Sequence, residues 1–298
     1  MIDIHLNFDL FNNYYYFYER LTVLLFSLVP TILLVSYVLY TDRKNSEPKK
    51  NIIICLLSGF LTIGLAFNLE NAIIPYITNN TILIYILAAI EELCKISIFL
   101  LFICDNKSYD DIYDGIVYMS LIALSFAGIE NVMYAFSEST VSSSISLALM
   151  RDFTTIPLHV ICGVVIGYFM SLASFSMDSK KRWINYILAF VISSLIHGTF
   201  NLAMDILSKL NIDFDSTVQV LFLNILPLLI IMVGLFYIAT KFSKKTVELN
   251  EIFINNKPYE KKYCYLMNKN EYEVSANKQH RMNIRNKFNF INKDKDDV

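Results

Sequence analysis

The sequence TILIYILAAIEELCKISIFLLFIC, residues 81–104, is long and apolar enough to cross a lipid bilayer, yet it carries Glu91, Glu92 and Lys95 near its middle. A carboxylate at mid-membrane depth costs roughly 2.5–3.5 kcal/mol on insertion scales, so two adjacent ones require a counter-ion, a proton or a water-filled cavity. On a helix, Glu91 and Lys95 are expected to pair, whereas Glu92 is rotated by about 100° and is expected to find another partner. The stretch therefore predicts either a polar site inside a membrane helix or an ion pair that fixes helix packing.

Composition places the chain among membrane proteins. Of its 298 residues, 55% are hydrophobic and 17% are charged, which is too apolar for a soluble domain. Seven apolar runs each approach the roughly 20 residues that a bilayer core requires. They cover residues 21–40, 52–74, 81–104, 112–136, 154–176, 183–207 and 217–240. The predicted fold is an all-α, polytopic membrane helix bundle of about seven transmembrane helices, with polar residues inside the bilayer.

Lysine and arginine are unevenly distributed among the connections. They are concentrated in TDRKNSEPKK (41–50), MDSKKRW (177–183) and KFSKK (241–245), and they are absent from ITNN (77–80) and SESTVSSS (137–144). Because positively charged loops stay in the cytoplasm, this pattern predicts an outside amino terminus and a cytoplasmic carboxy terminus. Residues 1–245 are expected to form the transmembrane domain. Residues 246–298 are expected to form a basic, polar, partly disordered cytoplasmic tail, whose charge suits anionic lipid better than nucleic acid.

Three further apolar runs bring polar groups into the membrane. Four such runs together favour a shared polar cavity over four separate packing contacts. The residues singled out are Phe126, Glu130 and Asn131 in the fourth run, Arg151, His159 and Gly163 at the start of the fifth and within it, and His197 and Asn201 in the sixth. With the predicted topology, the glutamates and histidines all fall in the outer half of the bilayer.

The chemistry open to this set is hydrolysis. A carboxylate beside an imidazole can position and deprotonate water, and a second acid or imidazole can stabilise the oxyanion or protonate a leaving amine. His159, His197 and Glu130 also form the ligand set of a catalytic zinc with one open position, which leaves another glutamate as the base. The residues alone do not decide between metal-bound and metal-free water. Neither an HExxH helix nor a GxSxG elbow occurs.

The order and spacing of these residues resemble the PrsW family of intramembrane proteases, a distant relative of the type II CAAX prenyl endopeptidases. The resemblance covers about residues 55–205 and leaves out the first run, the last run and the tail. The motifs are EExxK (Glu91, Glu92, Lys95), FxxxE (Phe126, Glu130), HxxxG (His159, Gly163) and HxxxN (His197, Asn201) on successive runs.

This resemblance implies a multi-pass endopeptidase of the bacterial plasma membrane. It would make the first, extracytoplasmic-side cut in a single-span substrate, typically an anti-sigma factor, and so start the release of a sigma factor. Glu91 and Glu92 would be catalytic, and Glu130, His159 and His197 would complete the site. The family is classed as metalloproteases, which implies zinc as the cofactor.

Three alternatives stay open on the residues. A secondary transporter or proton pathway also uses intramembrane carboxylates and histidines, although no paired broken-helix pattern is present. A non-catalytic scaffold would keep the polar residues for packing alone. A prenyl-protein protease would use the same chemistry but would place its site toward the cytoplasmic face.

Overall fold

The computed structural model describes residues 14–43, 46–176 and 178–209. Within these ranges the chain forms helices and no strand. The helices are α1 (Tyr14–Thr41), α2 (Lys49–Ile73), α3 (Asn80–Phe102), α4 (Ile112–Ser137), α5 (Val141–Phe153), α6 (Thr155–Ser174) and α7 (Ser179–Lys209), with a 3₁₀ turn at Ile74–Tyr76 after α2.

The prediction of an all-α membrane bundle is confirmed. Five helical segments in the described ranges are long and apolar enough to span a membrane, namely Phe17–Thr41, Lys49–Tyr76, Ile112–Ser137, Val141–Ser174 and Ser179–Lys209. Helix α3 has a comparable length but carries three charged residues near its middle. The count of seven spans is not confirmed, because the run 217–240 lies outside the described residues, as does the predicted tail.

Local sequence signals fix where several helices begin. The Asn79 side chain accepts a hydrogen bond from the Ile82 amide at 3.0 Å and caps α3. Asp111 and Asp114 form a reciprocal capping box at the start of α4, and Thr140 and Ser143 do the same for α5. Each cap satisfies amide groups that the first helical turn leaves without partners.

Helix α5 was not predicted, because the polar stretch SESTVSSS was interpreted as a simple outside connection. The chain instead turns at Thr140 and runs back along α4 as α5. The helix then breaks at Thr154, where φ is −121° and ψ is −68°, and the chain continues as α6. The serines of α5 are tolerated because its apolar face packs on α1 and α4 through Val23, Ala135 and Ala148.

Helix α4 forms the centre of the bundle and packs against α1, α2, α5 and α6. Its contact with α6 is a backbone contact, since a Cβ at Gly163 or Gly167 would collide with main-chain atoms of α4.

The two ends of the bundle are named after Tyr76 and Asp105. The Tyr76 end holds the connections 74–79 and 138–140, and the Asp105 end holds the connections 103–111 and 175–178.

Candidate active site

The candidate site contains a buried ion pair on α3. Lys95 Nζ lies 2.8 Å from Glu92 Oε1 and 3.7 Å from Glu91 Oε2, and both Lys95 and Glu92 are completely buried. The sequence predicted a partner other than Lys95 for Glu92, whereas the structure pairs Glu92 with Lys95 as well as with His197. Residues three apart also share a helix face, and burial of the Glu92 carboxylate is tolerable only beside a cation.

His197 connects this pair to α7. Its Nδ1 lies 2.7 Å from Glu92 Oε1, while its Nε2 lies 3.9 Å from Glu91 Oε2. The close approach of α7 to α3 depends on Gly198, where a Cβ would collide with the Tyr85 ring. Because Glu92 is an acceptor, it fixes the proton of His197 on Nδ1 and leaves Nε2 directed toward Glu91.

His159, at the start of α6, is held through both ring nitrogens. Lys95 Nζ lies 3.1 Å from His159 Nδ1, and Glu130 Oε2 lies 3.0 Å from His159 Nε2. Since Lys95 donates to Nδ1, the ring proton is assigned to Nε2, which donates to Glu130. The imidazole packs edge to face against His197 at 4.9 Å and against Phe126 at 5.3 Å between ring centroids.

Glu130 on α4 receives a second cation from α5. Arg151 Nη2 lies 2.8 Å from Glu130 Oε2, and the guanidinium carbon lies 4.0 Å from the centre of the Tyr134 ring. Asp152, the next residue of α5, accepts a hydrogen bond of 2.9 Å from Asn131 Nδ2 of α4. Arg151 and Asp152 thus contact the neighbouring residues Glu130 and Asn131, because α5 runs back along α4.

The structure thus brings together most of the residues predicted for the site. Glu91, Glu92, Lys95, Phe126, Glu130, Arg151, His159 and His197 form one contact network. Asn131 lies beside it and ties α4 to α1 and α5, since its Nδ2 also donates to the Ser27 carbonyl at 3.2 Å. Gly163 contributes close packing of α6 on α4, and Asn201 makes no side-chain hydrogen bond within residues 14–209 that the structure describes.

Two residues near the site were not singled out from the sequence for it. Tyr134 lies one turn beyond Glu130 and stacks on Arg151, which its spacing of four residues from Glu130 could have indicated. Glu70 on α2 lies outside the predicted motifs, yet it interacts electrostatically with Glu130, Lys95 and His197. No sequence pattern predicts that Glu70 lies near the site, because the register of α2 against α3 and α4 is set by packing.

The acids and imidazoles fit a metal ion. Glu91, Glu92, His159 and His197 each offer one ligand atom, and these atoms all lie within 4.8 Å of one another. Glu91 Oε2 and Glu92 Oε2 are buried without a hydrogen-bond partner in the described part of the chain, so each retains coordinating capacity. Two imidazoles with carboxylates are a ligand set typical of catalytic zinc. Glu130 is not part of this group, and its role as a ligand stays a prediction.

Comparison with known proteins agrees with this arrangement. Residues 47–234 match the model of the PrsW family intramembrane metalloproteases. The chain is 31% identical over 184 residues to "Protease PrsW" of Oceanobacillus iheyensis, which covers 61% of this chain and 82% of that protein. The same-named proteins of Clostridioides difficile and Bacillus subtilis are 29% and 28% identical, each over 61% of this chain and over 79% and 82% of their own lengths.

No solved structure matches the chain. The family match spans more than half of the chain and is wider than the stretch 55–205 that carries the motifs. It includes all four helices that supply the acids and imidazoles of the site. The chain is a membrane-embedded peptidase and belongs to the PrsW family of intramembrane metalloproteases.

Proposed function

We propose that this peptidase makes the first, extracytoplasmic-side cut in a single-span membrane protein, and that an anti-sigma factor is its substrate. The loop charges support this side of the membrane, because the positive-inside rule favours an extracytoplasmic position for the Tyr76 end. The same charges support an amino terminus outside the cell and a carboxy terminus in the cytoplasm. The membrane that we propose for this multi-pass protein is a bacterial plasma membrane. Cysteine labelling of the connection 138–140 tests this orientation, since labelling from the cytoplasmic side would reverse it.

The observation that carries the proposal is the asymmetry between the two adjacent glutamates. Glu92 is fully buried, and its Oε1 is held by Lys95 and His197. The side chain of Glu91 is 11% exposed, and its Oε2 makes only long ion-pair contacts of 3.7 and 3.9 Å. Glu91 is therefore placed to accept a proton from a water molecule, whereas Glu92 holds the groups around it.

The remaining groups suit peptide-bond hydrolysis. Glu92 orients His197 so that Nε2 faces the same space as Glu91 Oε2, where it is available to ligate a metal or to stabilise an oxyanion. Lys95 holds His159 from one side and Glu130 holds it from the other, which fixes the imidazole against rotation. Phe126 covers the His159 ring and the Lys95 ammonium, whose Nζ lies 4.1 Å from the Phe126 ring centre, and so limits the access of water.

Of the four candidate ligands, Glu92, His159 and His197 would hold the metal that the family description implies, with a ring nitrogen of His159 exchanging its present partner for the metal, and Glu91 would remain the base. When bound, that metal supplies a Lewis acid that polarises the scissile carbonyl. We propose zinc, because imidazole and carboxylate ligands in a buried site suit it.

A cleavage assay in membranes tests the proposal. A single-span anti-sigma factor is incubated with wild type, Glu91→Gln, Glu92→Gln and His197→Ala, each with and without a zinc chelator. We expect each substitution to lower cleavage at least about a hundredfold at unchanged protein abundance, because each removes part of one connected site. Cleavage that persists in Glu92→Gln would remove Glu92 from the mechanism. Chelation should stop cleavage and added zinc should restore it.

The outcome also separates the alternatives. If the anti-sigma factor stays intact while a prenylated peptide is cut at the cytoplasmic side, the prenyl-protein protease replaces the present proposal. Glu138→Gln is the matched control, because Glu138 caps α4 at the same end of the bundle and its side chain forms no ion pair with a site residue in the described part of the chain.

A further inference from the structure

A fourth carboxylate stands beside the acids and imidazoles described above. Glu70 lies in the last turn of α2 and is half-buried. It interacts electrostatically with Glu130, Lys95 and His197, and with Glu91 as well. Helix α2 contributes no other ionisable group to this region within the described residues.

The packing of α2 explains how Glu70 reaches the site. Ala66 lies four residues before Glu70 and packs with Ile90 and Cys94 of α3 and Phe126 of α4. Ile63 and Ile73, seven residues before and three after Glu70, border the same apolar cluster. Because residues three, four and seven apart share a helix face, Glu70 lies on the face of α2 that meets α3 and α4.

Glu70 and Glu130 occupy matching positions relative to this cluster. Glu130 lies one turn beyond Phe126 in the direction of the Tyr76 end, as Glu70 lies one turn beyond Ala66. Glu91 follows Ile90 directly on α3. Carboxylates of three helices therefore border one apolar cluster, those of Glu70 and Glu130 on its Tyr76 side and that of Glu91 between Ile90 and Cys94.

Glu70 differs from the other three acids in its pairing. Glu91 and Glu92 each have Lys95 within 4 Å, and Glu130 has Arg151 at 2.8 Å. Among the described residues, no basic side chain forms an ion pair with Glu70, and no hydrogen bond to its carboxylate contributes to its environment. Counting Glu70, four carboxyl groups face two lysine and arginine side chains, and Glu70 is the one of the four that neither of them contacts.

We infer that Glu70 is a specificity-determining residue, which pairs with a lysine or arginine side chain of the substrate close to the scissile bond. This inference rests on the proposed proteolytic function. A cation that arrives with the substrate would complete the one missing pair, and the partial burial of Glu70 would strengthen the attraction. Glu70 does not belong to the group of candidate metal ligands, so metal binding leaves it available for this role.

The test uses one cleavable single-span substrate in which each position within four residues of the cut is changed in turn to Lys, Gln or Glu. At one position, wild type should cleave the Lys substrate about tenfold faster in kcat/KM than the Glu substrate. Glu70→Gln should abolish that preference while it still cleaves the Gln substrate at near wild-type rate. Glu70→Lys should prefer the Glu substrate.

Three outcomes would overturn the inference. One is equal cleavage of all substrates by wild type, which needs no variant and is independent of folding. Another is a Lys preference that persists in Glu70→Lys, and the third is a uniform loss of cleavage in Glu70→Gln without a change of preference, which would make Glu70 structural. Failure of the proposed function gives a different result from failure of this inference. Wild type and Glu92→Gln would then be equally inactive or equally active on every substrate. Glu138→Gln serves as the control for a general change of charge at the Tyr76 end.

Discussion

Single residues in the site are connected in one series of ion pairs and hydrogen bonds. Arg151 pairs with Glu130, Glu130 with His159, His159 with Lys95, and Lys95 with Glu92, and Glu92 in turn binds His197. Each buried carboxylate is tolerated because a donor faces it, and loss of one partner of such a pair leaves an uncompensated charge. Residues that touch neither substrate nor metal therefore affect catalysis through their neighbours.

Arg151 is the clearest positioning residue of this kind. Arg151→Lys should lower kcat about tenfold with little change in KM, because a lysine keeps the charge near Glu130 but loses the planar stack on Tyr134. Arg151→Met should lower kcat further, by about a hundredfold, since Glu130 then loses its cation. The measurement is the cleavage rate at several substrate concentrations in detergent or membranes.

Arg43 offers a matched control for this comparison. Its guanidinium carbon also lies 4.0 Å from a tyrosine ring centre, that of Tyr40, but at the opposite end of the bundle. Arg43→Lys should leave kcat unchanged. An equal loss in both variants, or a change confined to KM for Arg151→Lys, would argue against a positioning role for Arg151.

At the scale of helices, the sequence predicted those elements whose signal is local. Apolar runs located α2 to α4, α6 and α7 to within about four residues, whereas α1 begins seven residues before the predicted run. The spacing of polar residues located the four helices that form the site. The polar start of α5 hid a helix, because serine-rich sequence is typical of connections and only packing on α1 and α4 stabilises it here. The pairing of Arg151 with Glu130 and the approach of Glu70 depend on helix register, which no local pattern encodes.

The α4–α6 contact is a helix-level feature with a direct test. Gly167→Ala should destabilise the protein by about 1–3 kcal/mol, since the added methyl group would collide with main-chain atoms of Gly115 and Ile116. Gly64→Ala is the matched control, because nothing lies within 4 Å of the Cβ it would add, and alanine favours the helix. Thermal unfolding in detergent measures both. Equal melting temperatures for the two variants would show that the helices can separate without cost.

At the scale of the whole molecule, the Asp105 end carries a second buried acidic region, apart from the site. Glu47 precedes α2 and is 7% exposed, and its carboxylate accepts a hydrogen bond from the Tyr118 hydroxyl of α4. Tyr118 also accepts a hydrogen bond of 3.0 Å from Asn51 Nδ2. These contacts join the α1–α2 connection to the central helix, so the protonation state of Glu47 bears on how the connection packs against α4.

Burial raises the pKa of Glu47 from 4.5 to about 7, against the lowering effect of the Tyr118 hydroxyl, and the nearby carboxylates of Asp42 and Asp111 raise it further. A carboxyl group whose pKa is raised on folding contributes stability that is fully present below the unfolded value and is lost as the pH rises through the folded value. Wild type should therefore lose stability between about pH 4.5 and pH 7, by on the order of 3 kcal/mol from this group. Glu47→Gln cannot ionise, so its melting temperature should depend less on pH in this range and should exceed that of wild type most clearly at pH 8. Parallel melting curves for the two proteins from pH 5 to pH 8 would show that Glu47 titrates normally in the folded state.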